Sequence, residues 1–517
     1  MELTSERIWS PYQQAIFRAV AEQHNSLIIE AVAGSGKTTT IVEAINHVPR
    51  EQSVCFLAFN KSIASELKNR IIAKNAICMT LHSAGFGAWR RHCFPEDVQV
   101  NSRKCSDIAM EIIKARGEYK KFGSTIKLVS IAKNSAIVPQ GVPGRQVGEL
   151  ADDRALWEDL IDFYGLDPDE CDIDLAKEVL VESIKRAHQD VDFDDMLYMP
   201  IIEDAPFEKY DVIFLDEAQD VSEIQVEMVS RMRFAKDGVY VKPDSIERIY
   251  KQSRVIAVGD SHQAIYGFRG ALCDSMEDIQ KRFDCESLPL SVSYRCPQEV
   301  VKHVQQWVPH IEWFETAPAG LLEEIIPEWK LQDFRIGDSV LCRVTRPVVD
   351  LAFRLIRAKI PAKVIGRDIG SNLIKLIEKM KATDMVDLDQ KLLKYRNREA
   401  KRPKMDESKL AALDDKIATI HVFMDELGPD GQVADLIASI NQLFGEAQDG
   451  SRMVTLSTVH KAKGLEWPRV FILDADLYMP SRWAREPWQR QQEKNLMYVA
   501  ATRAKAELRY ISSEGLQ

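Results

Sequence analysis

No stretch of this 517-residue chain is apolar for long enough to form a bilayer-spanning helix, which needs roughly 20 such residues in a row. A membrane span of that kind is therefore not expected. The nine cysteines are scattered, with no C-x-x-C pair and no Cys/His cluster. That spacing argues against a disulfide framework and a zinc site, and for reduced thiols in a cytoplasmic protein. The opening MELTSERIWSPYQQ is too polar and acidic for a signal or transit peptide. There is no internal repeat, no low-complexity linker and no basic excess. Sixty-eight Lys and Arg face 79 Asp and Glu, a net charge of −11. Such a balance disfavours a protein that coats nucleic acid along its whole surface. It leaves room for a local basic channel, because the field in a groove depends on nearby charges.

The 45% hydrophobic and 28% charged residues are those of a soluble globular chain. The length exceeds one ordinary core, so two or more domains are expected. Leu27-Ile28-Ile29-Glu30 reads as a buried strand. Ala31-Val-Ala33-Gly34-Ser35-Gly36-Lys37-Thr38-Thr39 follows at once, and then the helical pattern IVEAINHV. Strand, glycine-rich loop and helix form the context of a phosphate-binding loop. Gly34 and Gly36 let backbone N–H groups turn toward phosphate. Lys37 is placed to reach the β- and γ-phosphates of ATP, and Thr38 to hold Mg2+. Ala31 stands where the usual pattern has its first glycine.

Two further apolar segments read as strands. Asp211–Leu215 ends in Asp216-Glu217-Ala-Gln219, and Arg254–Val258 leads into Gly259-Asp260-Ser-His-Gln263. Carboxylates at a strand's end suit a parallel sheet, whose ligands sit at the carboxyl edge. Asp216 is expected to hold Mg2+ through water, and Glu217 to orient and deprotonate an attacking water. Gln263 is placed to sense a γ-phosphate. Tyr266, Phe268 and Arg269 follow closely. Core packing with a surface charge is one reading of them; a platform on which bases stack is the one favoured. A phosphate cradle, a carboxylate pair, a glutamine and the remote Arg503 make a complete ATPase, spread along the chain as in two lobes that close on ATP.

The ordered series resembles the superfamily 1 helicases of the UvrD/Rep type. Ser10-Pro-Tyr-Gln13-Gln is similar to that family's adenine-reading segment. Ala58-Phe59-Asn60-Lys61 and Thr80-Leu-His82-Ser83 are similar to its early DNA-contacting motifs. Asp192-Phe-Asp-Asp195-Met-Leu, Ser293-Tyr294-Arg295 and Asp338-Ser-Val-Leu-Cys-Arg343-Val-Thr-Arg continue the series. It ends with Ile360–Gly366, Thr458-Val-His460-Lys-Ala-Lys463-Gly464-Leu-Glu466 and Tyr498-Val-Ala-Ala-Thr502-Arg503. Within the family, AFNKSIA, STVHKAKGLE and NLMYVAATRAK are similar to the helicase region of F-box DNA helicases. Neither an F-box before this region nor a fused nuclease after it is expected.

The resemblance implies an α/β fold of two RecA-like P-loop lobes with parallel sheets, each interrupted by a mostly helical insertion. Lobe 1A is expected over 1–92 and 191–289, and insertion 1B over 93–190. Lobe 2A is expected over 290–370 and 450–517, and a reduced 2B-like insertion over 371–449. Gln13 would read adenine and Tyr294 would stack on it. Arg295 and Arg503 would act as arginine fingers, and Glu466 would couple nucleotide state to the DNA path. Phe59, Asn60, His82, Tyr266, Phe268, Arg269, Arg343 and His460 would contact single-stranded DNA. For His82 and His460, a hydrogen-bonded histidine at a domain seam stands as the alternative. Two departures matter. Phe268 stands where the family usually has tryptophan. Thr39 stands where many members have an arginine, which puts the cation–π partner of adenine in doubt.

The run Lys391, Lys394, Arg396, Arg398, Lys401, Arg402, Lys404 is either a solvated helix face or a phosphate contact. The resemblance further implies a DNA-stimulated ATPase and helicase acting in repair, recombination or replication, with 3′-to-5′ movement on single strands or from single/double-strand junctions. A monomeric motor is expected, with a loading or repair partner and no membrane. Two alternatives stay open. One is a translocase that strips recombinase or other proteins from DNA. The other is an ATP-gated subunit that senses DNA ends for a partner nuclease.

Overall fold

The computed structural model describes residues 9–516, except 59–63, 66, 68–69, 72, 117–121, 141, 143–151, 164–170, 235–238, 242–247, 251–252, 266–274, 327, 402–406, 429–430, 446–452 and 486. The chain divides into two compact units. Met1–Ala31 and Gly36–Ser291 form the first, and Val32–Ser35 and Val292–Gln517 the second.

The first unit is built on six parallel strands: β1 (Ser26–Ala31), β2 (Val54–Ala58), β3 (Ala76–Thr80), β4 (Val212–Leu215), β5 (Arg254–Gly259) and β6 (Cys285–Leu290). Their order is β6-β1-β5-β4-β2-β3. Strands β2, β4 and β5 are buried along their whole length. That burial is why they read as unbroken apolar runs, as strands covered on both faces must. The edge strands β3 and β6 mix buried with partly or fully exposed positions.

Helix α1 (Pro11–Glu22) starts at a reciprocal cap. Ser10 Oγ accepts from Gln13 N at 3.2 Å, and Gln13 Oε1 accepts from Ser10 N at 3.0 Å. Pro11 sits at the first helical position, where its missing N–H costs nothing. Helix α2 (Lys37–Asn46) follows β1, and α3 (Leu81–Cys93) follows β3. Four helices then interrupt the sheet: α4 (Lys104–Arg116), α5 (Phe122–Asn134), α6 (Arg154–Phe163) and α7 (Ile173–Arg186). The chain returns through α8 (Asp195–Ile202), and α9 (Glu223–Arg231) and α10 (Ser275–Phe283) complete the unit.

A buried ionic cluster joins this helical insertion to α8. Lys104 Nζ donates to Asp195 Oδ2 at 2.8 Å, and Lys133 Nζ to Asp192 Oδ2 at 2.9 Å. Lys133 Nζ also lies 2.7 Å from Asp195 Oδ1, a charge contact without hydrogen-bond alignment. Burial alone would push the Asp192 carboxyl up, but Lys133 outweighs it and holds the group below its ordinary range.

The second unit carries another six-stranded parallel sheet: β7 (Leu321–Ile326), β8 (Ser339–Cys342), β9 (Ala362–Ile365), β10 (Val454–Thr458), β11 (Trp467–Leu473) and β12 (Ala504–Ile511). The order is β7-β12-β11-β8-β10-β9. Helix α11 (Gln298–Val304) precedes β7, and α12 (Thr345–Arg357) follows β8. Between β9 and β10 lie α13 (Arg367–Met380), α14 (Met385–Ala400), α15 (Glu407–Leu427) and α16 (Val433–Phe444). Phe423 of α15 packs edge-on against Phe353 of α12, centroids 5.0 Å apart, and so docks these helices on the sheet's core. The short α17 (Val459–Ala462) and α18 (Pro487–Ala501) follow.

Within the basic run, three cations are paired internally. Arg396 clamps Asp414 through two bonds of 2.9 and 3.0 Å, Lys391 holds Asp387 at 2.7 Å, and Arg398 holds Glu399 at 3.4 Å. These placements favour a helix face over a phosphate contact for those three. Arg402 and Lys404 lie outside the described residues.

Replacing Lys133 by Met would leave two buried carboxylates short of a cation. Breaking a buried pair in this way costs about 3–5 kcal/mol. Urea unfolding of Lys133→Met is expected to show a loss of that order, and a loss below about 1 kcal/mol would contradict the role given to the cluster.

Candidate active site

Three neighbouring strands of the first unit, β1, β5 and β4, end at the same carboxyl edge. Each delivers one of the segments singled out in the sequence. β1 runs into the Gly-rich loop, where Gly34 and Gly36 adopt φ of 74° and 76°. A side chain would strain the backbone at both, so the loop can turn here only on glycine. Lys37 opens α2 directly after it. β4 ends at Asp216 and Glu217, and β5 at Asp260.

Lys37 Nζ lies 3.8 Å from Glu217 Oε2. Glu217 has φ of 50°, a left-handed conformation for a residue that carries a side chain. Such strain collects where a side chain must be aimed. Gln219 fixes that aim, since its Nε2 donates to Glu217 Oε2 while its Oε1 accepts Asp260 N at 3.1 Å. The sequence places Gln219 two residues after Glu217, but this bond to Asp260 joins residues 41 apart and is set only by the fold. Gln263 is buried, and its Nε2 donates to Asp260 Oδ2 at 2.6 Å. One chain of hydrogen bonds therefore links Glu217, Gln219, Asp260 and Gln263.

Asp216 is 2% exposed. Burial, and then the neighbouring Glu217 charge, push its carboxyl up to about 7, against the opposing pull of Lys37. Glu30 on β1 is pushed up in the same direction by burial and by Asp260. A carboxylate desolvated beside further carboxylates is what a hard divalent cation relieves. The donors in question, the Asp216 carboxyl and the Thr38 hydroxyl, are the oxygen type that Mg2+ prefers. The residues present thus fit Mg2+. Among the described residues, no group of three or more His, Cys, Asp or Glu could hold a metal by itself.

Gln13 is buried. Its carbonyl serves the α1 cap, and its Nε2 donates to Thr40 Oγ1 at 2.9 Å, one turn into α2. Next to it in sequence, Thr39 Oγ1 accepts from Arg70 Nη2 at 3.3 Å. A guanidinium therefore stands against the position where the resemblance leads one to miss an arginine. Nothing in the local sequence pairs residues 31 apart, so this contact was not legible. His82 sits in the first turn of α3. Burial lowers its pKa, with Asp194 opposing. Phe59, Asn60, Tyr266, Phe268 and Arg269 lie outside the described residues.

In the second unit, Glu466 accepts Arg295 Nε at 2.5 Å and stands 2.6 Å from Lys505 Nζ. Burial would raise the Glu466 carboxyl, but Lys505 and Arg295 together hold it below its ordinary range. Arg503 is 1% exposed. It is held by the Val499 carbonyl at 2.9 Å, the Leu465 carbonyl at 3.2 Å and Thr502 Oγ1 at 3.1 Å. Tyr294 is partly exposed and tilts against Phe314, centroids 4.8 Å apart. The loop residues grouped with this unit are held through their backbone atoms: Gly34 O accepts from Tyr294 N at 2.9 Å, and Ala33 N donates to the Tyr498 side-chain hydroxyl at 2.8 Å. Ser35 is fully buried, and its Oγ has no protein partner. Arg343 pairs with Glu493 at 2.9 Å, and His460 lies half-buried on α17.

The family model described as UvrD/REP helicase N-terminal domain matches residues 12–284. That described as UvrD-like helicase C-terminal domain matches residues 207–515. The chain is similar to F-box DNA helicase protein 1 of Schizosaccharomyces pombe, 22% identical over 97% of this chain and 58% of that protein. It is similar to F-box DNA helicase 1 of Gallus gallus, 24% identical over 95% of this chain and 48% of that protein. It also matches ATP-dependent DNA helicase PcrA of Leuconostoc citreum, 21% identical over 95% of this chain and 80% of that protein. The chain spans about half the length of the two F-box helicases.

The state of Asp216 has a measurable consequence. Its ordinary pKa is 3.8 and its folded value about 7. Between those limits the folded chain keeps a proton that the unfolded chain has lost. The contribution of this group to stability therefore falls as pH rises through the window and is lowest above pH 7. In EDTA, without nucleotide, the melting temperature of Asp216→Asn minus that of the unaltered chain is expected to grow from pH 5 to pH 8. A difference that stays flat or shrinks would contradict the assignment.

Proposed function

We propose that this chain, which belongs to the UvrD/Rep-type helicase family, is an ATP-driven motor on single-stranded DNA. It moves 3′ to 5′ and serves DNA repair, recombination or replication. The observation that carries the reading is the convergence of Lys37, Asp216, Glu217 and Gln263 on three adjacent strand ends, with Lys37 and Glu217 3.8 Å apart. A chain used only as a structural scaffold has no need of that arrangement.

In this account Lys37 binds the β- and γ-phosphates, and the loop N–H groups from Ala33 to Thr39 cradle them. Thr38 and Asp216 hold Mg2+, whose charge offsets that of the phosphates. Glu217, aimed by Gln219, orients the attacking water and takes its proton at Oε. Gln263 reports the γ-phosphate to Asp260 and Gln219 through the hydrogen bonds they share. Arg295 and Arg503 supply positive charge to the transition state, and Glu466 holds Arg295 until then. Gln13 and Tyr294 receive the base. Phe59, Asn60, His82, Tyr266, Phe268, Arg269, Arg343 and His460 follow the single strand, the aromatic ones by stacking, which tolerates any sequence.

Steady-state ATP hydrolysis with and without single-stranded DNA tests this directly. Strong stimulation is expected, with Glu217→Gln lowering kcat by roughly 10²–10⁴ while ATP binding persists. A folded, ATP-binding chain that DNA does not stimulate would sink the motor. Arg295→Ala should lower kcat on the order of 10³ with little change in ATP affinity, as for an arginine finger. A drop under tenfold would remove Arg295 from that role.

A further inference from the structure

The first unit has a cavity of about 340 Å³ at the end of its sheet opposite the phosphate loop. It lies where β1 and β6 begin, beside the carboxyl ends of α9 and α10. Lys209, Arg231, Arg233 and Arg282 line it, against Asp284 as the one carboxylate among the described lining residues. Cations near helix carboxyl ends have an ordinary explanation, since they offset the helix dipole. That accounts for part of the cluster. Arg231 pairs with Glu227 at 2.7 Å and with Asp204, Arg282 pairs with Glu227, and Lys209 Nζ donates to the Arg231 carbonyl.

It does not account for the rest. Among the described residues, no carboxylate forms an ion pair with Lys209, Arg233 or Arg254. Arg233 has one weak bond, to the Ser253 carbonyl at 3.4 Å, and its buried Nε has no partner. Its guanidinium is held over the Phe283 ring at 4.9 Å, so its direction is already set. Arg254, 4% exposed, donates to the carbonyl of the lining residue Asn25 and to those of Val20 and Ala19. Burial lowers the pKa of all three groups, and for Lys209 the neighbouring Arg231 adds to it while Asp204 opposes. Bringing the Lys209 ammonium and the desolvated Arg233 guanidinium to one cavity, with Asp284 the one carboxylate among its described lining residues, carries a desolvation cost. A bound anion removes that cost, and a planar guanidinium beside an ammonium suits a compact oxyanion.

We propose that this cavity is a second oxyanion site, separate from the phosphate loop, which takes a phosphoryl or carboxylate group through Arg233 and Lys209. Both groups present the same chemistry of paired anionic oxygens. The cavity draws its lining from segments 25–26, 209, 230–234 and 282–284, and none of these residues has a part in the ATP chemistry above.

The test is calorimetric titration of pyrophosphate into the full chain, with the phosphate loop saturated by Mg2+ and a non-hydrolysable ATP analogue. Glutarate in parallel distinguishes phosphoryl from carboxylate sources. One equivalent of either ligand is expected to bind, weakened at least tenfold in Arg233→Gln and in Lys209→Gln, with ATP turnover of both variants unchanged. Lys209 is the more peripheral of the two, so its variant carries the test if Arg233→Gln fails to fold. Absence of binding at millimolar ligand, or binding that neither substitution weakens, would overturn the site.

Discussion

A buried carboxylate beside a lysine–glutamate pair is the constraint on which the first unit depends. Asp216 is desolvated because β4 sits between β5 and β2, and all three strands are buried throughout. The strands cannot move apart without exposing that core, so the charges at their ends cannot relax away from one another. Lys37 is held near Glu217 by the start of α2, and Glu217 is turned toward it by a left-handed backbone. Packing that looks purely structural thus maintains an electrostatic arrangement poised for a polyanionic, metal-bearing ligand.

The second unit solves a related problem by other means. Arg295 and Arg503 are both long cations that must be kept in place. Arg295 is held by charge, through Glu466, which Lys505 also approaches. Arg503 is held by carbonyl and hydroxyl oxygens with almost no exposure. An arginine held by one carboxylate can be released by a stronger anion. One wrapped in backbone oxygens moves only with the elements that carry them. The two differ in what holds them, although Arg295 Nη1 also donates to the Thr502 carbonyl at 3.4 Å.

Much of this was legible in the sequence, and for a definite reason. The strands ending at the phosphate loop, at Asp216 and at Asp260 are contiguous and apolar, and their functional residues follow directly, so local reading suffices. The apolar residues of α4 and α7 recur at helical spacing, so these inserted helices too can be read locally. What was not legible joins residues distant in the chain. Arg70 against Thr39, Arg343 with Glu493 and Arg396 with Asp414 are set by tertiary packing. Asp192 and Asp195 were noticed as part of a motif, but their work in closing a buried cluster with Lys104 and Lys133 appears only in three dimensions. The basic cavity is the extreme case, since its lining comes from four separate segments.

The central claim is directed movement driven by ATP, and transient translocation kinetics address it most directly. Single-stranded oligonucleotides of increasing length, with a fluorophore at one end, would be bound to the chain and mixed rapidly with ATP and a trap for free protein. A 3′-to-5′ motor gives a lag that lengthens in proportion to oligonucleotide length when the fluorophore is at the 5′ end, and none when it is at the 3′ end. A signal independent of length at both ends would show hydrolysis without translocation and would contradict the account.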